Sequence, residues 1–321
     1  MMPLQFDPVF QKAVAPLLAA KANGPQPDRS NPLSIRASVE PGFVKLMTLL
    51  PESAHVNYEE HQIPTYDGQS IAVYRHWRKD LDTTTPQPAL LQFHGGGMIM
   101  GRAHVFKKAQ DLLAQKSGVQ VFSVDYRLAP EHPYPTPAED GYSALVWLQK
   151  HAAQFSIDPK RIITIGESAG GNLVASISLM ARDRGHSPPV AKQMLIYPML
   201  DDRNIAPIPA MDGLLTWLPE ANITAWSAYL GDDYGTDRVS QYAAPARAAT
   251  VKGLPSTYLE VGTLDMFLEE NLKYISRIAK ENIETELHVY PALPHAYDVF
   301  APVSEAAERS MADRLRAILS V

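Results

Sequence analysis

The chain has 321 residues, 45% of them hydrophobic, and carries 29 Lys and Arg against 35 Asp and Glu, for a net charge of −6. That length supports a large buried core, and the mildly acidic balance, with no long run of one sign, argues against nucleic-acid binding and against attraction to an anionic membrane. The absence of cysteine excludes disulfides, thiolate metal sites and a Cys nucleophile.

The N-terminal stretch MMPLQFDPVFQKAVAPLLAAKANGP lacks the basic start and apolar core of a signal peptide, and no segment reaches the roughly 20 apolar residues of a membrane span. A soluble, cytoplasmic protein is expected. Apolar residues at helical spacing predict a helix over Phe6–Lys21. A turn with Gly24, Pro25 and Pro27 follows, then a second helix over Pro41–Leu50. From His55 the pattern turns strand-like. His55–Ile63 and Ile71–Trp77 flank a Tyr66-Asp67-Gly68 turn and read as an antiparallel pair.

Strands and helices alternate from there. Strands are predicted at Ala89–Phe93, Gln120–Val124, Ile162–Ile165, Gln193–Tyr197, Thr257–Val261 and Glu286–Tyr290. Helices are predicted at Val105–Lys116, Pro137–Ala153, Ala169–Arg182, Phe267–Glu281 and Val303–Leu319. Such alternation implies an α/β fold with a mostly parallel sheet covered by helices on both faces. One gap breaks the rhythm: Leu200–Gly253 is too long for an ordinary loop and reads as a lid or insertion. The expected organisation is therefore N-terminal cap helices over 1–53, a catalytic domain from 54–199 and 254–321, and a cap insertion over 200–253.

The chemistry concentrates where strands end. Gly166-Glu167-Ser168-Ala169-Gly170 joins a β-branched strand to a helix, the setting of a nucleophile elbow rather than a bare string match. A sharp turn there exposes the Ser168 hydroxyl, and the amide of Ala169, at a helix N-terminus, favours negative charge. A plain helix-capping serine is the competing reading. His94-Gly95-Gly96-Gly97 follows the strand Leu90–Phe93, so its amides can approach a substrate oxygen. A phosphate loop is disfavoured, because neither G-K-[ST] nor G-x-G-x-x-G spacing is present. His94 is expected to hold this loop rather than act as base.

In a fold with the order Ser, then acid, then His, Asp265 and His295 follow later strands and sit at the same sheet edge as Ser168. Asp201 and Asp202 are rival acids. Asp298 lies too near His295 in sequence to face its ring easily.

With these residues in place, the sequence resembles the hormone-sensitive-lipase-like carboxylesterases, the bacterial family IV lipolytic enzymes, from about Ala89 to the C-terminus. The resemblance rests on HGGGMIMG (94–101), DYRLAPEHPYPTPAED (125–140), GESAGGN (166–172), GTLDMFLEE (262–270) and HAYDVF (295–300). It implies an eight-stranded α/β-hydrolase sheet with a helical cap, a triad of Ser168, Asp265 and His295, and an oxyanion hole of Gly96, Gly97 and Ala169. It also implies that Asp125, Arg127 and Glu131 brace the site. Met98, Glu167 and Trp217 are expected to contact substrate, with Ile99 beside Met98 on the pocket wall.

The implied function is hydrolysis of short- to medium-chain esters through an acyl-enzyme. No metal or cofactor is called for. The expected partner is a small-molecule ester, with no nucleic acid and with a homodimer left open. An amidase or deacetylase on the same machinery is the alternative. A non-catalytic receptor is disfavoured because all three triad residue types are present.

Overall fold

The computed structural model describes residues 4–23 and 26–321. Two helices come first, α1 (Pro8–Asn23) and α2 (Pro32–Met47). The second starts earlier than the sequence suggests: Asn31 caps it, its side chain accepting from the amides of Leu33 and Ser34, and Pro32 stands in the first turn, where a missing N–H costs nothing. Pro41, read as a helix start, lies inside α2.

The strands are β1 (Val56–Pro64), β2 (Ser70–Arg78), β3 (Gln87–Phe93), β4 (Gln120–Val124), β5 (Ile157–Glu167), β6 (Lys192–Ile196), β7 (Ser256–Leu264) and β8 (Thr285–Pro294). Among the described residues they form one eight-stranded sheet in the order β1-β2-β4-β3-β5-β6-β7-β8. β1 and β2 are an antiparallel hairpin, β2 pairs antiparallel with β4, and the remaining pairs are parallel. The middle strands read as continuous apolar runs because both faces are covered: Leu90, Leu91, Phe93, Ile162, Ile163, Leu195 and Leu259 are fully buried.

The covering helices are α3 (Lys107–Ser117), α4 (Thr136–Lys150), α5 (Ala169–Asp183), α6 (Pro219–Leu230), α7 (Leu268–Lys280), the short α8 (Tyr297–Phe300) and α9 (Glu305–Leu319). α5 is buried from Ala169 to Ala181 on all sides, as expected of a helix apolar around its circumference. α7 instead buries one stripe, with Tyr274, Ile275 and Ile278 inward. Ser304 caps α9 by accepting from Ala307, and Glu305 and Glu308 complement its N-terminal dipole.

The long segment after β6 is not a bare loop. It contains α6, and Thr224 on α6 donates to the carbonyl of Arg29 at 2.5 Å, tying this segment to the N-terminal region. Its later part returns to the core: Ala243 and Ala244 are fully buried, and Asn172 on α5 donates to the carbonyl of Ala243 at 3.0 Å. No helix among the described residues is long and apolar enough to cross a membrane.

Candidate active site

The C-terminal ends of β3, β5, β7 and β8 meet at one edge and deliver the glycine loop, Ser168, Asp265 and His295, respectively. Ser168 sits at φ 54°, ψ −114°, outside the regions open to ordinary L-residues, and only 8% of it is exposed. Packing enforces this turn. A Cβ on Gly166 would lie 2.3 Å from the carbonyl oxygen of Gly170, and one on Gly170 would lie 2.0 Å from that of Phe93. The elbow therefore presses against β3 at the point where the glycine loop leaves it.

His295 joins the two other predicted residues. Its Nδ1 lies 2.7 Å from Asp265 Oδ2, and its Nε2 lies 2.9 Å from Ser168 Oγ. With Nδ1–H donated to the carboxylate, Nε2 is left to accept from the serine hydroxyl. Asp265 is itself held, its Oδ1 accepting from the amide of Phe267 at 2.9 Å. The imidazole meets Tyr197 and Phe267 edge-on, each with ring centres 5.0 Å away, and Thr216 donates to the His295 carbonyl at 2.6 Å.

The rivals lie elsewhere. Asp201 pairs with Arg203, Asp202 with Arg247, and Asp298 accepts from Tyr197 and faces Arg314. His94 is a structural group: its Nδ1 is 2.8 Å from the Gly95 carbonyl oxygen, its ring stacks on Tyr126, and burial depresses its basicity. Tyr126 also donates to the His94 carbonyl at 2.7 Å.

The amides of Gly96 and Gly97 donate to no backbone acceptor among the described residues, and that of Ala169, first in α5, has no intrahelical partner. These three N–H groups are thus available beside Ser168. Gly97, at φ +60°, could not carry a side chain easily, since a Cβ would approach the Trp217 ring to 3.0 Å.

Beside the serine lies a cavity of about 510 Å³, walled by Phe10, Ile35, Phe43 and Leu113 among many apolar side chains. Trp217 and Glu167 lie on its wall, whereas Met98 and Ile99 do not. Met98 has φ 63° and is fully buried in the core, and its carbonyl accepts from the amide of Ala129. The left-handed backbone directs this residue away from the site that its neighbour Gly97 faces.

Sequence reasoning missed the brace supplied by α2. Arg36 donates to the carbonyls of Ile99 (2.6 Å) and Ala129 (2.8 Å) and pairs with Glu131 (2.7 Å), while Glu40 accepts from the amide of Gly101 at 2.9 Å. A helix from the far N-terminus thereby pins the segment that follows the glycine loop to the 129–131 turn. The 125–140 stretch contributes as well: Asp125 accepts from the amide of Ala103, and Arg127 bridges Asp140 and Asp67. Among the described residues no group of three or more His, Asp or Glu side chains is placed to hold a metal ion.

Glu167 is the ionisable oddity of the site. Burial pushes its carboxyl up to about 7, with nearby Asp298 adding to the rise, against the opposing pull of Arg314 and of the hydrogen bond from Gln92. A carboxyl raised in the folded state binds its proton more tightly there than in the unfolded chain. Its contribution to stability is therefore present at low pH and is lost as pH rises from about 4.5 towards 7. Gln at this position cannot ionise. Relative to Glu167→Gln, the wild type is expected to lose on the order of 2 kcal/mol between pH 5 and 8. Urea unfolding of both proteins across that range checks it, and parallel curves would refute it.

A family model described as the α/β hydrolase fold matches residues 90–299. The chain is similar to the carboxylesterase NlhH of Mycobacterium tuberculosis, 31% identical over 284 residues that cover 84% of this chain and 83% of that one. It is similar to the esterase LipI of the same organism, 34% identical over 72% of each chain. Among solved structures, a bacterial heroin esterase superposes with a TM-score of 0.86 at 33% identity, covering 98% of this chain and 97% of the other. A hyperthermophilic esterase from the archaeon Pyrobaculum calidifontis superposes with 0.82 at 29% identity over 99% of both chains.

Proposed function

The chain belongs to the α/β-hydrolase fold family, in the hormone-sensitive-lipase-like group that its motifs resemble, and on that footing we propose that it is a carboxylesterase working through an acyl intermediate on Ser168. One observation carries the mechanism: His295 spans Ser168 and Asp265 at hydrogen-bond distance on both sides. Neutral His295 takes the hydroxyl proton through Nε2 as Ser168 Oγ attacks the ester carbonyl. Asp265 holds the ring by its Nδ1–H and stabilises the imidazolium. The carbonyl oxygen, now negative, moves towards the amides of Gly96, Gly97 and Ala169, which are fixed in place and need no reorganisation. His295 then protonates the departing alcohol. Water attacks the acyl-enzyme with the same base, and Ser168 is restored.

The N-terminal helices and α6 act as the cap in this reading. Phe10 and Val14 of α1 and Ile35 and Val39 of α2 wall the cavity, together with Trp217 and Leu218 just ahead of α6. A pocket closed by such walls has finite depth. Each methylene buried in it favours binding by about 0.8 kcal/mol until it is full. The kcat/KM of p-nitrophenyl esters is therefore expected to climb with acyl length, peak at or below about eight carbons, and then flatten or fall. A series from acetate to palmitate below the micellar range tests this. A profile still rising at palmitate would mean an open groove and would replace the esterase reading with a lipase one.

A further inference from the structure

Trp217 stands just ahead of α6 on the wall of the cavity beside Ser168, and its ring rests against the glycine loop. A Cβ built on Gly97 would come within 3.0 Å of the ring's Cη2 and 3.1 Å of its Cζ2. Thr216, one residue earlier, donates to the His295 carbonyl, so the same short strap touches the glycine loop and the loop of the base. The indole has a single polar handle. Its Nε1–H donates to Asn222 Oδ1 at 3.1 Å, and Asn222, on α6, is fully buried. Asn222 donates in turn through Nδ2 to the carbonyl of Asn204 at 2.8 Å. An amide suits both ends, since the indole N–H can only donate and the carbonyl can only accept. Asn204 is anchored as well. Its Nδ2 donates to the Met266 carbonyl at 2.9 Å and to Glu270 Oε2 at 2.6 Å, and Glu270 Oε1 accepts from the amide of Leu200 at 2.6 Å. A line of hydrogen bonds therefore runs from the residue after Asp265, through Asn204 and Asn222, to the ring over Gly97.

A tryptophan turns between broad wells about its second side-chain torsion, so apolar packing alone leaves the tilt of the ring open, whereas a bond from its N–H to an anchored amide fixes it. We infer that Asn222 is a positioning residue that sets specificity: it holds Trp217 against Gly97 as a fixed wall, which favours esters unbranched at the carbon next to the ester group on the side the ring faces. The wall matters at that carbon because Gly97 is one of the donors proposed for the carbonyl oxygen, so the reacting group lies beside the ring. A branch there meets the ring edge. Admitting it means swinging the indole away and breaking its bond to Asn222.

This inference rests on the ester-hydrolase reading, and isomeric substrates separate the two. In the first arm, p-nitrophenyl pentanoate is compared with its isomer branched at the carbon next to the carbonyl. In the second, the butyrate of primary butanol is compared with that of secondary butanol. The readout is the branched-to-linear ratio of kcat/KM within each protein, which cancels losses of folded enzyme and which a merely structural role of Asn222 would not move. Two variants remove the same bond from opposite ends. Asn222→Leu deletes the acceptor at similar volume, and benzothienylalanine in place of Trp217 keeps the bicyclic ring and deletes only the N–H. Each should raise the ratio about fivefold in one arm, the size of one hydrogen bond, and the two together should raise it no further. The arm that responds assigns the ring to the acyl or the alcohol side. Should Asn222→Leu not fold, the benzothienyl variant decides alone. Ratios that stay at the wild-type level in both variants, or that rise only in Trp217→Ala, would mean that the bond does not hold the wall and would overturn this inference alone. Failure to hydrolyse any of the four esters would overturn the ester-hydrolase reading as well.

Discussion

Replacing Ser168 by Ala is expected to lower ester turnover by about 10⁴- to 10⁶-fold while leaving the protein folded. The attacking oxygen is removed, and among the described residues Ser168 Oγ is the one hydrogen-bond partner given to His295 Nε2. The residual rate should reflect only the amides of Gly96, Gly97 and Ala169 and the binding cavity. Folding should survive because the elbow is held by its main chain: the Ser168 amide donates to Ile196 at 2.8 Å, and its carbonyl accepts from Asn172 and Met199. Alanine meets the same backbone strain at φ 54° as serine does. The check is twofold. Thermal unfolding should match the wild type, and a p-nitrophenyl phosphonate should add mass to the wild type at Ser168 and none to the variant. Activity retained in a folded, unlabelled variant would refute the mechanism.

How much of this was legible in the sequence depended on the range of the contacts involved. The elbow is local: a β-branched run, a glycine on each side of Glu167-Ser168-Ala169, and a helix to follow, all within a few residues. Asp265 and His295 needed only chain order and strand ends. The brace on the glycine loop is not local. Arg36 meets Ile99 across 63 residues of sequence and Glu40 meets Gly101 across 61, and neither pairing leaves a periodic trace. Met98 shows the opposite error. Adjacency to Gly97 suggested a shared surface, but a left-handed residue reverses the direction of the chain's side chains, and Met98 faces the core. The expected second helix begins at Pro41, nine residues and about two and a half turns after the observed start at Pro32, because Pro41 resembles a helix start. The stronger signal was Asn31-Pro32, a cap followed by a proline in the first turn.

The hydrogen bonds around His295 also explain why its loop can be trusted to hold position. The residues that follow it turn back at Ala296, φ 55°, and anchor at once: the Tyr297 hydroxyl donates to Glu260 at 2.9 Å, and Asp298 accepts from Tyr197 at 2.7 Å. Glu260, Arg314 and Asp298 form a buried charge group beneath the loop, in which burial of one guanidinium is balanced by two carboxylates. Such a cluster is costly to assemble, but once formed it tolerates few alternative arrangements. It anchors the residues that follow His295, whose ring lies edge-on to Tyr197 and Phe267 and is held by Asp265.

The acid can be identified by contrasting three carboxylates. Asp265→Asn is expected to lower kcat by about 10⁴-fold with little change in stability. Asparagine keeps an oxygen for the Phe267 amide, but an NH₂ facing His295 Nδ1 can no longer accept its proton. The ring then favours the other tautomer, in which Nε2–H donates to the Ser168 hydroxyl oxygen; Nε2 has no lone pair left to take the hydroxyl proton, and proton abstraction fails. Asp202→Asn should behave in the opposite way. Asp202 is 3% exposed and holds Arg247 through two contacts, at 2.6 and 2.8 Å, whereas His295 bonds Asp265 and Ser168. Removing its charge leaves a largely buried guanidinium unbalanced, at a cost of about 3 kcal/mol in stability, while kcat of the protein that remains folded should stay near the wild-type value. Asp201→Asn should do little of either, since its partner Arg203 is solvated and such pairs contribute about 1 kcal/mol or less. Active-site titration with the phosphonate normalises kcat to folded enzyme, and urea unfolding gives stability. If Asp202→Asn lost the greater share of titrated kcat, Asp265 would not be the residue that orients the base.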